Sequence, residues 1–249
     1  MFSLDGRVAI VTGASGGLGA RFAKVLHDAG ASVMGAARRV DRLEALAGDL
    51  ERFTPVACDV SDDDALAALV DATVAAHERV DVLVNNAGIS DAQDAAEGED
   101  PARFRSVIDV NLNAAFVLST LCARFMLEEG AGSIVNISSV HGLVAAAPNK
   151  QAAYVASKSG LVGLTRELAC QWATRGVRVN AIAPGYFASE LTEEMFAAES
   201  GMAWITRNTP MRRPGESHEL DGALLFLASD ASSYVTGQVL AVDGGFTAR

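Results

Sequence analysis

The sequence contains few residues of the types that build disulfide frameworks or metal sites. Its 249 residues include three cysteines, Cys58, Cys122 and Cys170, which are far apart and form no Cys-x-x-Cys pair. An odd number of widely separated cysteines is not typical of a disulfide-stabilised secreted domain, so we expect reduced thiols. The four histidines also lack metal-ligand spacing. The sequence therefore predicts no metal site.

Basic residues are scarce as well. There are 20 Lys and Arg residues against 31 Asp and Glu, which gives a formal net charge of −11. That balance argues against nucleic acid or another polyanion as a partner. The N-terminus lacks the basic segment and apolar core of a secretory signal, and we expect no unbroken apolar run long enough to cross a bilayer. We predict a cytoplasmic protein with no membrane partner.

Hydrophobic residues make up half of the chain, which is enough for a sizeable core. No internal repeat and no linker rich in Pro, Gly or Ser divides it, so we predict a single domain over residues 1–249. Short runs rich in Val, Ile and Ala alternate with longer helical patterns. They predict strands at 8–12, 32–37, 54–58, 82–85, 133–137, 178–183 and 239–242, and helices at 18–29, 39–50, 61–78, 101–129 (with a break), 154–175 and 216–228.

This alternation predicts an α/β protein of the Rossmann type. We expect a doubly wound, seven-stranded, mostly parallel sheet with helices on both faces. Ligands of such sheets bind beyond the carboxyl ends of the strands. Several candidate residues follow predicted strands at that edge, namely the glycine-rich turn after the first strand, Asp59, Asn86, Ser139 and Pro184-Gly185.

The first predicted strand leads into a glycine-rich turn that contains Gly13, Gly16, Gly17 and Gly19 and is followed by an amphipathic run. A side chain in such a turn would block a pyrophosphate from the backbone amides at the helix N-terminus, where the helix dipole also favours negative charge. A strand, a glycine turn and a helix in this order predict a dinucleotide-binding unit rather than a simple tight turn.

Tyr154 and Lys158 are four residues apart on a predicted helix and therefore share one face. At about 4 Å and an effective dielectric of about 20, the lysine charge favours the phenolate by up to about 4 kcal/mol. We expect it to lower the pKa of the phenol from about 10 toward neutrality, so that the tyrosine can exchange a proton with a substrate hydroxyl. Taken alone, this spacing is also common in solvated surface pairs.

Other motifs accompany this pair in a fixed order. The chain carries Thr-Gly-x-x-x-Gly-x-Gly from Thr12, then Asn85-Asn86-Ala87-Gly88, Ser139 before Val-His-Gly, and Val242-Asp243-Gly244-Gly245 near its end. With these motifs the chain resembles the short-chain dehydrogenase/reductase family from about Leu4 to Phe246. The resemblance implies an NAD(P)-dependent enzyme that interconverts a secondary alcohol and a ketone.

The resemblance also implies the roles of individual residues. Tyr154 would be the general acid or base, Ser139 would polarise the carbonyl oxygen, and Lys158 would support the tyrosine and hold the nicotinamide ribose. Asn111 would fix a water molecule for a proton relay, although it could instead satisfy local helix backbone. The implied cofactor-binding residues are Gly13, Ser15, Gly17, Leu18, Gly19, Arg38, Asp59, Val60, Asn86, Ala87, Gly88, Tyr154, Lys158, Pro184, Gly185 and Phe187.

One departure from the family concerns the segment between Ser139 and Tyr154, which is longer than usual. Extra residues between Leu143 and Ala152 would reshape the wall of the substrate pocket while leaving the catalytic residues in place. We therefore do not assign the chain to the ketoacyl reductases of fatty-acid synthesis.

Cofactor preference can be predicted from charge. NAD enzymes usually present Asp or Glu at the end of the second strand, whereas this chain has Ala37 followed by Arg38 and Arg39. A small residue followed by basic ones favours NADP(H), with Arg38 pairing with the 2′-phosphate. In the alternative, both arginines only begin a helix and face water, and the enzyme prefers NAD(H).

Residues 189–215 interrupt the pattern with several large apolar side chains between the sixth strand and the last helix. We interpret this segment as a substrate lid that excludes water, and its composition predicts an apolar or mixed substrate. It could also be a helix pair that only packs on the core. By resemblance we expect a homotetramer.

Two other classes of function are considered. A non-catalytic nucleotide-binding regulator would be expected to have lost part of the Ser/Tyr/Lys/Asn set, which is intact here. An epimerase or dehydratase that keeps NAD as an internal oxidant would usually be longer and have different glycine spacing.

Overall fold

The computed structural model of the protein describes residues 1–90 and 95–248. Its strands are β1 (Val8–Thr12), β2 (Ser32–Ala37), β3 (Phe53–Ala57), β4 (Val82–Asn85), β5 (Gly132–Ile137), β6 (Val177–Pro184) and β7 (Val239–Val242). They form one sheet in the order β3-β2-β1-β4-β5-β6-β7. Every neighbouring pair is parallel, so the predicted doubly wound sheet is confirmed.

The helices occupy the connections between the strands. They are α1 (Gly17–Asp28), α2 (Val40–Asp49), α3 (Asp63–His77), α4 (Pro101–Ile108), α5 (Ala114–Glu129), α6 (Ala152–Trp172), α7 (Glu193–Ala197), α8 (Glu199–Asn208) and α9 (Asp221–Ala228). Local signals fix some of their starts. The side chain of Asp62 accepts hydrogen bonds from two backbone amides in the first turn of α3, and Asp100 caps α4 just before Pro101.

Two hydrophobic cores lie on opposite faces of the sheet, because successive side chains of a strand alternate between the faces. In β1, Val11 belongs to the core that contains Phe22 of α1, whereas Ile10 belongs to the core that contains Leu118 of α5. Helices α1, α2 and α9 contribute to the first core, and α3, α5 and α6 contribute to the second. The sheet is therefore covered on both sides, as parallel sheets require.

The predicted boundaries agree closely with the structure. Four strands have the predicted bounds, and the other three differ by one residue at one or both ends. The expected break in the fourth helical region is a π-helical turn at Asp109–Asn113 between α4 and α5. The last predicted helix divides into a short 3-10 helix at Ser217–Leu220 followed by α9. These irregular turns depend on tertiary contacts that periodicity does not report.

The helical run Pro101–Glu129 matches a membrane span in length and composition, with a mean hydropathy of 1.5 in its most apolar window. The run is not an unbroken apolar one, because Asp109, Asn111 and Arg124 interrupt it, so it does not contradict the expectation stated above. In the fold, α5 buries Leu118, Cys122 and Met126 in the second core. We interpret the run as a core helix, because its apolar side chains pack within the protein.

The carboxyl ends of the strands meet at one edge of the sheet. β1, β4, β5 and β6 end there at Thr12, Asn85, Ile137 and Pro184. The segment 189–215, which includes α7 and α8, follows β6 from the same edge. The fold thus brings the glycine turn, the predicted catalytic residues and the predicted lid together.

Candidate active site

The glycine-rich turn after β1 is folded so closely that side chains are excluded from it. Gly13 has a φ of 69°, a left-handed conformation that favours glycine. A Cβ atom on Gly19 would collide with the carbonyl group of Gly13 and lie 2.6 Å from Nδ2 of Asn86. Gly16 caps α1 without a side-chain hydrogen bond from the described residues. The first amides of α1 are therefore accessible to an anion.

A hydrogen-bond network ties this turn to the loop after β4. The hydroxyl oxygen of Thr12 accepts hydrogen bonds from the backbone amides of Asn86 and Ala87, both at 3.0 Å. In return, the side-chain amide of Asn86 donates to the carbonyl oxygen of Thr12 at 2.8 Å. Two segments predicted to bind the cofactor are thus held together at the centre of the edge.

Asn111 lies in the π-helical turn and is buried. Its carboxamide bonds both backbone groups of Ile89, accepting from the amide at 2.8 Å and donating to the carbonyl at 2.9 Å. It also donates to the Ser157 hydroxyl at 3.0 Å, which in turn donates to the carbonyl oxygen of Tyr154 at 2.8 Å. Asn111 therefore connects the β4 loop to α6. Its role in a proton relay stays a prediction.

Tyr154 and Lys158 lie in the first two turns of α6, where the predicted spacing puts them on one face. The Nζ atom of Lys158 is 5.7 Å from the centroid of the Tyr154 ring and donates to the carbonyl oxygen of Ile137 at 2.8 Å. Lys158 is only 4% exposed, and burial lowers its pKa to about 8. At neutral pH a mostly protonated, poorly solvated ammonium group thus lies beside the tyrosine.

Two neighbouring serines follow β5, and their hydrogen bonds differ. The Ser138 hydroxyl donates to the carbonyl oxygen of Lys158 at 3.0 Å. The Ser139 hydroxyl accepts from the backbone amide of His141 at 3.1 Å, and its own proton is not used in a bond to the described residues. Ser139 can therefore donate to a ligand, while Ser138 holds the backbone of α6. This difference supports the predicted choice of Ser139.

Four aromatic rings form a wall beside the predicted catalytic residues. The hydroxyl of Tyr186 lies 3.1 Å from Nε2 of His141, and the Tyr186 ring packs edge to face on Trp204 and Phe246, with centroids 5.4 and 5.5 Å away. Burial raises the pKa of Tyr186 to about 12 and lowers the pKa of His141. Both groups are therefore neutral at pH 7, and they present a polar pair in an otherwise apolar wall.

The end of β2 has an arrangement that the sequence did not predict. Arg38 is exposed, whereas the guanidinium group of Arg39 donates to the Ser15 hydroxyl at 3.1 and 3.3 Å. Asp59 accepts hydrogen bonds from the backbone amide and hydroxyl of Ser61, which lower the pKa of its carboxyl group. The structure thus directs Arg39 rather than Arg38 toward the glycine turn.

The remaining predicted cofactor residues lie along the same edge. A Cβ atom on Gly88 would lie 3.2 Å from Oδ1 of Asn111 and 3.5 Å from Nζ of Lys158, so this glycine adjoins both side chains. Gly185, next to Pro184, donates its backbone amide to Val242. Phe187 is 4% exposed and belongs to the first core, so its ring packs in that core and does not line the pocket. Leu18 and Val60 pack partly buried against the two cores.

Comparison with known proteins agrees with this geometry. A family model described as enoyl-(acyl carrier protein) reductase matches residues 13–247. The chain is 43% identical over 250 residues to galactitol 2-dehydrogenase (L-tagatose-forming) from Cereibacter sphaeroides, with 99% of this chain and 97% of that protein covered. The chain belongs to the short-chain dehydrogenase/reductase family. As a member it is an oxidoreductase that acts on the CH–OH group of an alcohol or on the corresponding ketone.

Two further relatives of this dehydrogenase differ in their named activities. One is the 3-oxoacyl-[acyl-carrier-protein] reductase FabG from Rickettsia bellii strain RML369-C, which is 40% identical over 248 residues with 98% of both chains covered. The other is a solved gluconate 5-dehydrogenase from Burkholderia cenocepacia J2315 in complex with NADP and tartrate. It has a TM-score of 0.94 and 35% identity, and the match covers 100% of this chain and 98% of that chain.

Local sequence patterns missed part of this dehydrogenase's site. His141 lies within the motif that follows Ser139 but was given no role there, and Tyr186 belongs to no motif. The two meet because the turn after β5 and the end of β6 adjoin in the sheet. Phe246 joins them from beyond β7. The signal that could have found them is position, since each follows a strand at the edge where ligands bind. Among residues 1–90 and 95–248, no group of three or more His, Cys, Asp or Glu side chains could hold a metal ion.

Proposed function

We propose that this dehydrogenase transfers a hydride between NADP(H) and a secondary alcohol or ketone, with Ser139, Tyr154, Lys158 and Asn111 as its catalytic set. The observation that carries the proposal is the buried Lys158 ammonium beside the Tyr154 ring, at the edge where the Ser139 hydroxyl proton is available. The glycine turn fits a dinucleotide, because Gly16 and Gly17 put no side chain over the first turn of α1, and Gly19 packs so closely on Gly13 that only glycine fits there.

Each side chain then has a defined task. In reduction, the Tyr154 hydroxyl gives its proton to the carbonyl oxygen, while the Ser139 hydroxyl donates a hydrogen bond to the same oxygen. The Lys158 charge favours the phenolate that remains on Tyr154. Asn111 positions the start of α6 through Ser157. The bound nicotinamide supplies or accepts the hydride.

The preference for NADP(H) is supported by charge at the end of β2. No carboxylate stands at Ala37, and the next two residues are Arg38 and Arg39, of which Arg39 bonds the Ser15 hydroxyl. We assign these two arginines and Ser15 to the 2′-phosphate. A relative of the same fold was solved with NADP bound. Along the rest of the edge we assign Asp59 and Val60 to adenine, residues 86–88 to the adenosine ribose, and Pro184, Gly185 and the backbone of Phe187 to the nicotinamide. The Phe187 ring itself is buried in the first core.

We propose a small substrate of mixed character, enclosed by the lid at 189–215. The rings of Tyr186, Trp204 and Phe246 offer apolar surface, and the His141–Tyr186 pair offers hydrogen bonds to a hydroxylated carbon chain. Relatives named for galactitol and gluconate are in keeping with such a ligand. The second candidate is a 3-oxoacyl thioester, which the reductase relative favours and the longer segment before Tyr154 disfavours.

We also propose a cytoplasmic homotetramer. Apolar side chains remain exposed on a long helix, at the loop before the last strand and on that strand, namely Phe116, Tyr234 and Leu240. Such side chains are suited to subunit contacts. Sedimentation equilibrium of the purified protein measures the state directly, and a monomeric mass would contradict this part of the proposal.

The function is tested by following the absorbance of the reduced nicotinamide with a panel of polyols, sugar acids, keto acids and a 3-oxoacyl thioester, with each cofactor in turn. We expect turnover with a hydroxylated substrate and higher kcat/KM with NADPH than with NADH. Equal or better use of NADH would refute the cofactor preference. Binding of nucleotide without turnover of any substrate would favour a regulatory protein.

A further inference from the structure

A three-way ion pair joins the lid to the adenosine end of the cofactor edge. The Oε1 atom of Glu190, which precedes α7, accepts hydrogen bonds from Nη1 of Arg39 at 2.8 Å and from Nη1 of Arg42 at 2.6 Å. Arg39 caps α2, Arg42 lies in the first turn of that helix, and Arg39 also bonds the Ser15 hydroxyl. One carboxylate oxygen is therefore held by two guanidinium groups, one of which also contacts the glycine turn.

The Glu190 carboxylate lies beside the glycine turn. A Cβ atom placed on Gly16 would lie 3.3 Å from Oε1 of Glu190, and 3.6 Å from a guanidinium nitrogen of each arginine. Gly16 is the cap of α1, so the carboxylate also faces the positive end of a helix dipole. The lid backbone adjoins the turn as well, because a Cβ on Gly17 would lie 3.7 Å from Cβ of Ser189.

The same guanidinium group of Arg39 and the same serine hydroxyl are the ones assigned above to the 2′-phosphate. A phosphate there and the Glu190 carboxylate would compete for Arg39 and would repel each other. The three side chains are 42%, 54% and 51% exposed for Arg39, Glu190 and Arg42. Ion pairs this exposed contribute little, because solvent screens their charges. A phosphate can therefore displace the carboxylate, at a reduced affinity.

We propose that Glu190 is a specificity-determining residue that mimics the 2′-phosphate in the cofactor-free enzyme and competes with it for Arg39. NADP(H) must displace the carboxylate, whereas NAD(H) leaves the Glu190 ion pairs intact. Glu190 therefore narrows the preference for NADP(H) over NAD(H). This inference rests on the proposed NADP(H) site and deepens it.

The test compares two nucleotides that differ only in the 2′-phosphate, adenosine 2′,5′-bisphosphate and adenosine 5′-monophosphate. Their dissociation constants are measured by calorimetry, without turnover. We expect Glu190→Gln to tighten bisphosphate binding roughly three- to tenfold, since it removes two surface ion pairs and a repulsion, and to leave monophosphate binding unchanged. The ratio of NADP⁺ to NAD⁺ affinity should rise by the same factor. Glu194→Gln, an exposed lid residue with the same change in charge, is the matched control.

The double variant with Arg39→Gln separates this inference from the proposed function. If Glu190 acts through Arg39, Glu190→Gln should have a much smaller effect once Arg39 is replaced. Arg39→Gln could weaken bisphosphate binding while Glu190→Gln either leaves that binding unchanged or weakens it. In that case the NADP(H) site stands, and the competition between Glu190 and the 2′-phosphate is refuted. If the wild-type protein binds bisphosphate no more tightly than monophosphate, the proposed cofactor preference and this inference both fail.

Discussion

Replacing Lys158 by methionine should make the protein more stable at pH 7, although we expect it to abolish activity. Burial lowers the pKa of Lys158 from 10.5 to about 8, and each pKa unit corresponds to about 1.4 kcal/mol. The native state therefore carries an ammonium group that destabilises it by about 3 kcal/mol at neutral pH. Methionine keeps most of the hydrocarbon stem but leaves the Ile137 carbonyl without its hydrogen bond, which costs about 1 kcal/mol. We therefore expect the unfolding free energy of Lys158→Met at pH 7 to exceed that of the wild-type protein by about 2 kcal/mol.

The stability difference between the wild-type protein and Lys158→Met should depend on pH. At pH 7 the lysine is protonated in both the native and the unfolded state, so the whole penalty applies. Between about pH 8 and 10.5 the native lysine loses its proton while the unfolded lysine keeps it. The unfolded state then binds more protons, so the stability of the wild-type protein rises with pH relative to that of the variant. The advantage of Lys158→Met should therefore disappear across this window.

The difference in unfolding free energy between the two proteins is measured by urea unfolding, followed by tryptophan fluorescence. All proteins are compared at one concentration and at several pH values from neutrality to about pH 10.5. Lys150→Met is the control, because it removes an exposed lysine and should change stability by less than about 0.5 kcal/mol. A loss of stability in Lys158→Met at pH 7, or a stability difference that does not vary with pH, would show that the buried Lys158 ammonium group does not destabilise the native state.

Three further variants test the site. Ser139→Ala should lower kcat by at least about tenfold, because it removes a donor to the reacting oxygen. Ser138→Ala should mainly lower the unfolding free energy. If steady-state kinetics showed the larger loss of kcat in Ser138→Ala, the two serines would exchange roles. Gly19→Ala should prevent nucleotide binding in calorimetry, since its Cβ would collide with the turn, while Gly48→Ala, which meets no atom within 4 Å, should bind normally. Asn111→Ala leaves both backbone groups of the β4 loop unsatisfied and should cost about 2 to 4 kcal/mol in urea unfolding, and a loss below about 0.5 kcal/mol would contradict its bridging role.

Much of the fold could be predicted because its signals are local. Runs of β-branched residues alternate with helical periods, and the bounds of β1, β2, β4 and β7 follow from residues within the strands themselves. The pairing of Tyr154 with Lys158, which we propose to be catalytic, could also be predicted, because the two residues are four positions apart on one helix. Ser139 could be distinguished from Ser138 by the motif that follows it, and the hydrogen bonds of the two serines agree with that choice.

The rest of the site depends on contacts between distant parts of the chain. The sequence favoured Arg38 for the 2′-phosphate, but the fold turns Arg39 toward Ser15, a choice set by the backbone at the start of α2. The ion pair from Glu190 to Arg39 spans 151 positions, and no local pattern reports it. The contact of His141 with Tyr186 likewise depends on the pairing of β5 with β6.

The central claim is that Tyr154 exchanges a proton with the reacting oxygen. The most direct test is a single turnover of Tyr154→Phe with bound NADPH and a ketone that the wild-type protein reduces, followed by loss of the reduced-nicotinamide absorbance. We expect the rate to fall by about a hundredfold or more, with NADPH affinity from calorimetry changed only slightly. A variant that reduces the ketone at the wild-type rate would contradict the proton-exchange role of Tyr154.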